Sequence, residues 1–123
     1  MIERRSSSRI TIKDVTSSGH AARLVLMSSY LYYWCDSPVL PDADYDYLCR
    51  FLARRWDKLK PLRQYMLGSA KDIQSTGHHV LISKAVEGGA QEWHKAIRGN
   101  YPRARIPSWK WNRRFGLHLA PLV

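Results

Sequence analysis

The stretch SYLYYWCDSPVLPDADYDYLC, from Ser29 to Cys49, holds five tyrosines, four aspartates and two prolines in twenty-one residues. Proline lacks a backbone N–H and pushes the residue before it toward extended geometry, so Pro38 and Pro41 exclude one continuous helix. The segment DSPVLP is therefore predicted to be a short, stiff connector between two helices.

The helix before the connector is predicted from about Ser18 to Trp34 and ends near Asp36. Its apolar residues recur at three- and four-residue spacing, which is typical of an amphipathic helix with one buried face. The residues of this stripe are Leu24, Met27, Leu31 and Trp34.

The helix after the connector is predicted to start at Asp42, as its N-cap or first-turn residue, because carboxylates favour the positive end of the helix dipole. Asp44 and Asp46 follow in the same turn, and Pro61 is expected to stop the helix. Its apolar arc is Leu48, Cys49, Leu52, Trp56 and Leu59. The chain is thus predicted to be mainly α-helical, a single small domain built on a helical hairpin.

The rest of the chain divides into three predicted parts. Residues 1–17 are expected to be a flexible basic segment, residues 18–66 form the hairpin, and residues 67–123 form a C-terminal extension. The extension is predicted to contain a short extended piece at 79–82, one helix from about Ser83 to Ile97 and an irregular basic arm. Gly88 and Gly89 inside that helix indicate either close packing or a kink.

Composition points toward an anionic partner. The sequence has twenty Lys and Arg and ten Asp and Glu, for a net charge of +10. A basic surface of this kind is typical of contact with nucleic acid, although it also serves solubility.

Cys35 and Cys49 lack metal-ligand or redox spacing and are predicted to be reduced core thiols. No run is apolar enough for a membrane span, so a cytoplasmic protein without a membrane partner is expected.

The two helix ends that meet at the connector carry aromatic rings and carboxylates. An aromatic face attracts a flat cation by about 0.5–2 kcal/mol, and a carboxylate neutralises its charge or accepts hydrogen bonds from ribose hydroxyls. A nicotinamide ring on its ribose is one such ligand. The alternative is a tyrosine-rich core edge with helix-capping aspartates.

The segment YLYYWCDSPVLPDADYDYL resembles the signature of the N-terminal Ia subdomain of bacterial NAD⁺-dependent DNA ligases. That signature runs Tyr-x-Tyr-(His/Tyr)-x-x-Asp-x-Pro, and ends in Asp-x-(Glu/Asp)-Tyr-Asp-x-Leu. The resemblance implies a small helical module that grips the nicotinamide mononucleotide (NMN) half of NAD⁺. The residues it assigns to the ligand are Tyr32, Tyr33, Asp42, Tyr45 and Asp46. Tyr33 stands where many relatives have His, which keeps a stacking ring and removes a titratable donor to the phosphate.

The resemblance covers only a third to a half of the chain. The Lys-x-Asp-Gly nucleophile of the ligases does not occur in the sequence, so we expect a non-catalytic, ligase-related small protein of a bacterium or bacteriophage. Adjacent His78 and His79 lack partners at ligand spacing, and no metal is expected.

The basic residues predicted to contact nucleic acid lie in two groups. The first is a ridge of cations spaced four apart on the second helix of the hairpin, and the second is the C-terminal arm, where aromatic residues suited to base stacking are interleaved. Alternatively, the aromatics of the arm pack onto the helices. The predicted residues are Arg50, Arg54, Lys58, Arg103, Arg105, Trp109, Lys110, Trp111, Arg113 and Arg114.

Two classes of function follow, while a third, an enzyme that acts on NAD⁺ or DNA, has no candidate catalytic residues. In the first, the protein is a binding module for NMN or NAD⁺ with a basic surface for nucleic acid. In the second, the nucleotide site is a relict, and the hairpin binds or inhibits a protein partner such as a host DNA ligase or a defence factor.

Overall fold

The protein is mainly α-helical, as the sequence predicts. The computed structural model describes residues 12–75 and 80–104, together with two short strands at 111–112 and 117–118. The five α-helices of this part are α1 (Ser18–Ser29), α2 (Asp42–Arg54), α3 (Pro61–Leu67), α4 (Ala70–Ser75) and α5 (Lys84–Arg98). None of the helices in these residues is both long and apolar enough to cross a membrane.

The first arm of the hairpin is α1 followed directly by a π-helix, Tyr30–Trp34. All four residues of the predicted stripe, from Leu24 to Trp34, are buried. Asp36 then takes a left-handed conformation with φ of 53°, which Asp tolerates better than most residues because its short side chain bonds locally. The predicted end of the helix near Asp36 is confirmed.

The second arm starts as predicted and ends earlier than predicted. Asp42 is the first residue of α2, after Pro41 in extended geometry. The helix stops at Arg54, a 3-10 turn follows at Trp56–Lys58, and Pro61 opens α3 instead of closing α2. Leu59 and Lys60 are extended, since a residue before proline avoids helical geometry and the fixed φ of proline suits the first position of a helix.

The N-terminal boundary also differs from the prediction. Residues 1–17 were expected to be flexible, yet Ile12 and Val15 are buried in the core around a 3-10 turn at Ile12–Asp14. Ser17 caps α1 by accepting a hydrogen bond from the His20 N–H at 3.2 Å. Ile12 and Val15 anchor this segment to the core. Two apolar residues are too few to form a periodic pattern that sequence analysis could detect.

The C-terminal extension adds a helix and a small sheet. Ser83 caps α5 by accepting from the Val86 N–H at 3.1 Å, which confirms the predicted start of this helix. The strands β1 (Ile82–Ser83), β2 (Trp111–Asn112) and β3 (Leu117–His118) form an antiparallel sheet in the order β1-β3-β2, with Ile82 opposite His118 and Trp111 opposite His118. Two strands thus lie where the sequence predicted an irregular arm.

A single core joins the hairpin and the extension. Helix α1 packs against both α2 and α5, and α4 packs on α2. The largest buried side chains include Trp34, Tyr30, Leu52 and Ile82. The extension therefore holds the hairpin in place.

Gly88 and Gly89 differ in their surroundings within a continuous α5. A Cβ at Gly88 would meet no atom of the described residues within 4 Å, while one at Gly89 would lie 2.8 Å from Arg23 Nη2 and 3.1 Å from Met27 Sδ. Close packing on α1 is thus found at Gly89.

Gly88→Ala is predicted to raise the free energy of unfolding by about 1 kcal/mol, because alanine loses less backbone entropy than glycine in a helix. Gly89→Ala is predicted to gain less, since Arg23 and Met27 must move aside. Urea denaturation of both variants measures the difference. Equal gains would contradict the close contact between α5 and α1.

Candidate functional site: a cavity between the helix ends

The two arms of the hairpin enclose a cavity of about 220 Å³ where they meet the connector. We call it the hairpin cavity. Its lining residues are Ser28, Tyr32, Tyr33, Pro38, Leu40, Asp42, Tyr45 and Asp46. All five residues that the sequence assigned to a ligand are therefore brought together around one space.

Tyr32 and Tyr33 form the aromatic wall on the first arm. Their rings make an edge-to-face contact, with centroids 4.6 Å apart and planes at 89°. Tyr32 is about half exposed, at 49%, and Tyr33 packs against the core. The π-helix explains how neighbours in sequence reach one cavity, because its wider turn rotates successive side chains through a smaller angle than an α-helix does.

Tyr45 forms the opposite aromatic wall on α2. Its hydroxyl and the Ser29 hydroxyl are 2.9 Å apart, in a hydrogen bond that crosses the hairpin. Burial raises the pKa of Tyr45 above its ordinary value, so the phenol stays neutral at physiological pH. This bond fixes the ring and leaves its surface available to the cavity.

Asp42 and Asp46 supply the negative charge at the rim. They are exposed and lie four residues apart in the first turns of α2, which puts both side chains on one face of the helix. Like charges at this spacing repel, and a cation between them would relieve the repulsion. Asp44 lies on the same helix but does not line the cavity.

The connector is fastened to α5 by hydrogen bonds that the sequence did not reveal. Ser37 Oγ lies 2.7 Å from His94 Nε2, and His94 Nδ1 lies 2.7 Å from the carbonyl of Asn100. Because a carbonyl only accepts, Nδ1 carries the proton, and in the neutral imidazole Nε2 accepts from the Ser37 hydroxyl. Arg98 Nη2 donates to the Pro38 carbonyl at 2.6 Å.

A second link joins α5 to the first arm inside the protein. The Tyr30 hydroxyl donates to Glu87 Oε2 at 2.9 Å and accepts from Gln91 Nε2 at 3.3 Å. Burial raises the pKa of both Tyr30 and Glu87. No periodicity in the sequence pairs residues nearly sixty positions apart, so these partners could be found only in the folded chain.

Both cysteines are free and buried, as predicted. Burial raises the pKa of Cys35 and of Cys49 to about 11. Since the thiolate is the reactive form, these shifts favour the less reactive thiol form of both cysteines at neutral pH.

The predicted basic ridge is interrupted. Arg50 and Arg54 are exposed on α2, but Lys58 lies in the 3-10 turn after the helix has ended. There it joins two cations that the sequence prediction missed, around a second cavity of about 360 Å³. We call this second cavity the basic concavity. Its lining residues are Ser17, Gly19, Lys58, Leu59, Lys60 and Arg63.

Most of the predicted arm lies outside the described residues. Arg103 is exposed. The backbone of Trp111 lies in β2, and its side chain is not described. The predicted contacts that fall outside the described residues are Arg105, Trp109, Lys110, Arg113 and Arg114, and the same is true of His78 and His79. Within the described part of the chain, no three His, Cys, Asp or Glu residues are grouped as metal ligands would be.

Comparisons with known proteins give no relative: the chain matches no family model, no curated protein and no solved structure. The resemblance to the ligase Ia subdomain therefore stays a prediction from the motif alone.

Tyr45→Phe is predicted to lower the free energy of unfolding by about 1–2 kcal/mol, because it leaves the buried Ser29 hydroxyl without its partner. Tyr32→Phe is the matched control, since its ring is half exposed, and a change below about 0.5 kcal/mol is expected. Urea denaturation measures both. Equal effects would contradict the bond across the hairpin.

Proposed function

We propose that the protein is a non-catalytic binding module for a nicotinamide nucleotide, NMN or the NMN half of NAD⁺. The observation that carries the proposal is the convergence of Tyr32, Tyr33, Asp42, Tyr45 and Asp46 on one cavity. These residues belong to one linear motif and lie on the two helices that flank the connector.

The chemistry of the hairpin cavity suits a flat cation. Tyrosine faces attract the positive pyridinium ring through their quadrupoles. The carboxylates of Asp42 and Asp46 offset its charge or accept hydrogen bonds from ribose hydroxyls. Tyr32 and Tyr33 lie on the first arm, and α2 carries Tyr45 with both carboxylates, so a ligand between the arms would contact both at once.

The size of the cavity favours half a dinucleotide over a whole one. Sites for drug-sized ligands commonly measure about 300–1,000 Å³, and the hairpin cavity, at about 220 Å³, is smaller. It suits the nicotinamide ring and one edge of the ribose. The phosphate would extend past the rim.

NMN is predicted to bind the parent protein with micromolar to millimolar affinity, about 4–8 kcal/mol. Tyr45→Ala removes one aromatic face, and Asp46→Asn removes one rim charge, so each should weaken binding about fivefold or more. Asp44→Asn is the matched control, because it removes an equal charge from the same helix outside the cavity. Isothermal titration calorimetry with NMN and NAD⁺ measures all four proteins.

Two outcomes of this titration would count against the proposal. If Tyr45→Ala and Asp46→Asn bind like Asp44→Asn, the ligand does not occupy the hairpin cavity. If the parent releases no heat, the alternative function as a protein-interaction module or inhibitor moves ahead. As a check on the non-catalytic assignment, incubation with adenylate-labelled NAD⁺ is expected to leave no label on the denatured protein.

We infer a second function, contact with nucleic acid, from the basic concavity. Lys58, Lys60 and Arg63 line it, and no carboxylate occurs among the lining residues that the structure describes. Arg50, Arg54 and Arg103 add exposed positive charge elsewhere. Concave cation clusters attract phosphates, and such contacts fix position without reading the bases.

Binding to labelled oligonucleotides is predicted to fall steeply with salt, because each neutralised phosphate releases counterions. The triple change of Lys58, Lys60 and Arg63 to Ala should reduce the log–log salt slope by about 2–3, equally for all sequences. The matched control changes Arg23, Lys84 and Lys95 to Ala, which removes the same charge outside the concavity. Fluorescence anisotropy across a salt series compares the two, and equal slopes would show that only net charge matters.

A further inference from the structure

A third cavity, of about 610 Å³, is lined by α3 and by the start of α5. We call it the apolar groove. Leu62, Tyr65, Met66 and Ala85 give it a mainly apolar surface, and Lys60 and Arg63 give it positive charge. A hydrogen bond from the Leu81 N–H to the Met66 carbonyl, at 2.8 Å, fastens the chain before β1 to the end of α3.

The apolar side chains of the groove are open to a ligand. Leu62 is 63% exposed and Tyr65 is 58% exposed. They lie three residues apart on α3, which puts them on one face of the helix. Exposed apolar side chains that are grouped around a concave surface are typical of a binding site. More than half of the surface of each residue is accessible, so a ligand can contact both without a rearrangement of the protein.

The apolar groove adjoins the basic concavity. Lys60 and Arg63 line both cavities, and Lys58 lines the basic concavity alone. No carboxylate occurs among the described residues that line either one. A ligand that occupies both cavities therefore needs an anionic group and an apolar group that are linked closely to each other. A nucleotide has this arrangement, because its phosphate and its flat base are attached to the same sugar.

We propose that the apolar groove receives an unpaired base of a single-stranded nucleic acid, which stacks on Tyr65 while Lys60 and Arg63 contact its phosphates. This inference rests on the proposed contact with nucleic acid through the basic concavity. Stacking on an aromatic ring tolerates any sequence, since every base has a π-face. In a duplex the bases are paired and stacked on one another, so the groove selects single strands.

Other occupants match the two cavities less well. A second copy of this chain would be repelled, because each copy has a net charge of +10. An acidic peptide would match the cations but has no need of an exposed aromatic ring beside them. Positive charge combined with an accessible aromatic side chain is typical of proteins that bind single strands.

Oligothymidylate and an abasic oligomer of the same length test the proposal, because they carry the same phosphates and differ only in the bases. Fluorescence anisotropy at one low salt concentration measures their binding to the full chain. We expect the parent to bind oligothymidylate about fivefold more tightly or better, the worth of stacking one base on one ring. Tyr65→Ala should lose this advantage and should bind the abasic oligomer and a duplex as the parent does.

Two further variants isolate the contribution of the ring. Tyr101→Ala is the matched control, because it removes a tyrosine that is 53% exposed and lies outside the groove. It should bind all three ligands as the parent does. Tyr65→Phe should also bind like the parent, since stacking requires the ring and not the hydroxyl. Thermal unfolding should give Tyr65→Ala a midpoint within about 2 °C of the parent, as expected for an exposed position.

The outcomes separate this inference from the proposed function. If Tyr65→Ala binds oligothymidylate as tightly as Tyr101→Ala does, or loses as much affinity for the abasic oligomer, then no base stacks on Tyr65. Contact with nucleic acid through the basic concavity would still stand in the first case if the triple change of Lys58, Lys60 and Arg63 weakens binding. If the parent binds none of the three ligands, both proposals are wrong.

Discussion

The hydrogen bond between Ser37 and His94 ties the proline connector to α5, and the geometry of the hairpin cavity depends on it. The imidazole is buried and oriented by the carbonyl of Asn100, so its other nitrogen is presented to the Ser37 hydroxyl. With the connector held, the end of the π-helix and the start of α2 cannot spread apart. The C-terminal helix therefore contributes to the cavity without lining it.

The same restraint explains how a small helical chain can present a preorganised polar site. The bond between Ser29 and Tyr45 crosses the hairpin near the cavity, and the bond between Tyr30 and Glu87 secures the first arm from the other side. Side chains held in this way lose less entropy when a ligand arrives. A ring that enters the cavity would meet the face of Tyr45, whose position is already set by its bond to Ser29.

Much of the fold could be predicted from local signals. The apolar stripe from Leu24 to Trp34 predicted the first arm, the prolines at 38 and 41 predicted the connector, and Asp42 and Ser83 predicted two helix starts. The prediction that Pro61 ends α2 was wrong for a local reason. Proline occurs both after the end of a helix and in its first turn, and periodicity alone does not distinguish the two positions. The burial of Ile12 and Val15 escaped prediction because two apolar residues make no period.

The residues that line the hairpin cavity could be predicted from the sequence, but the distant residues that hydrogen-bond to the hairpin could not. Tyr32, Tyr33, Asp42, Tyr45 and Asp46 lie within one short motif, so the sequence places them near one another once a hairpin is assumed. His94, Glu87 and Arg98 act on that motif from about sixty residues away. Lys60 and Arg63 line the basic concavity together with Lys58 because α2 ends at Arg54. The sequence prediction assumed that the helix continues to Pro61, so it did not group these three residues.

The most direct test of the account is a map of amide chemical shifts in the isotope-labelled protein as NMN is added. A nicotinamide nucleotide in the hairpin cavity should shift the amides around Ser28, Tyr32, Tyr33, Asp42 and Asp46 together, along a single saturation curve. The amides around Lys60 and Arg63 should remain in place at the same NMN concentrations. Shifts confined to the basic concavity would contradict the account, since NMN would then bind through its phosphate.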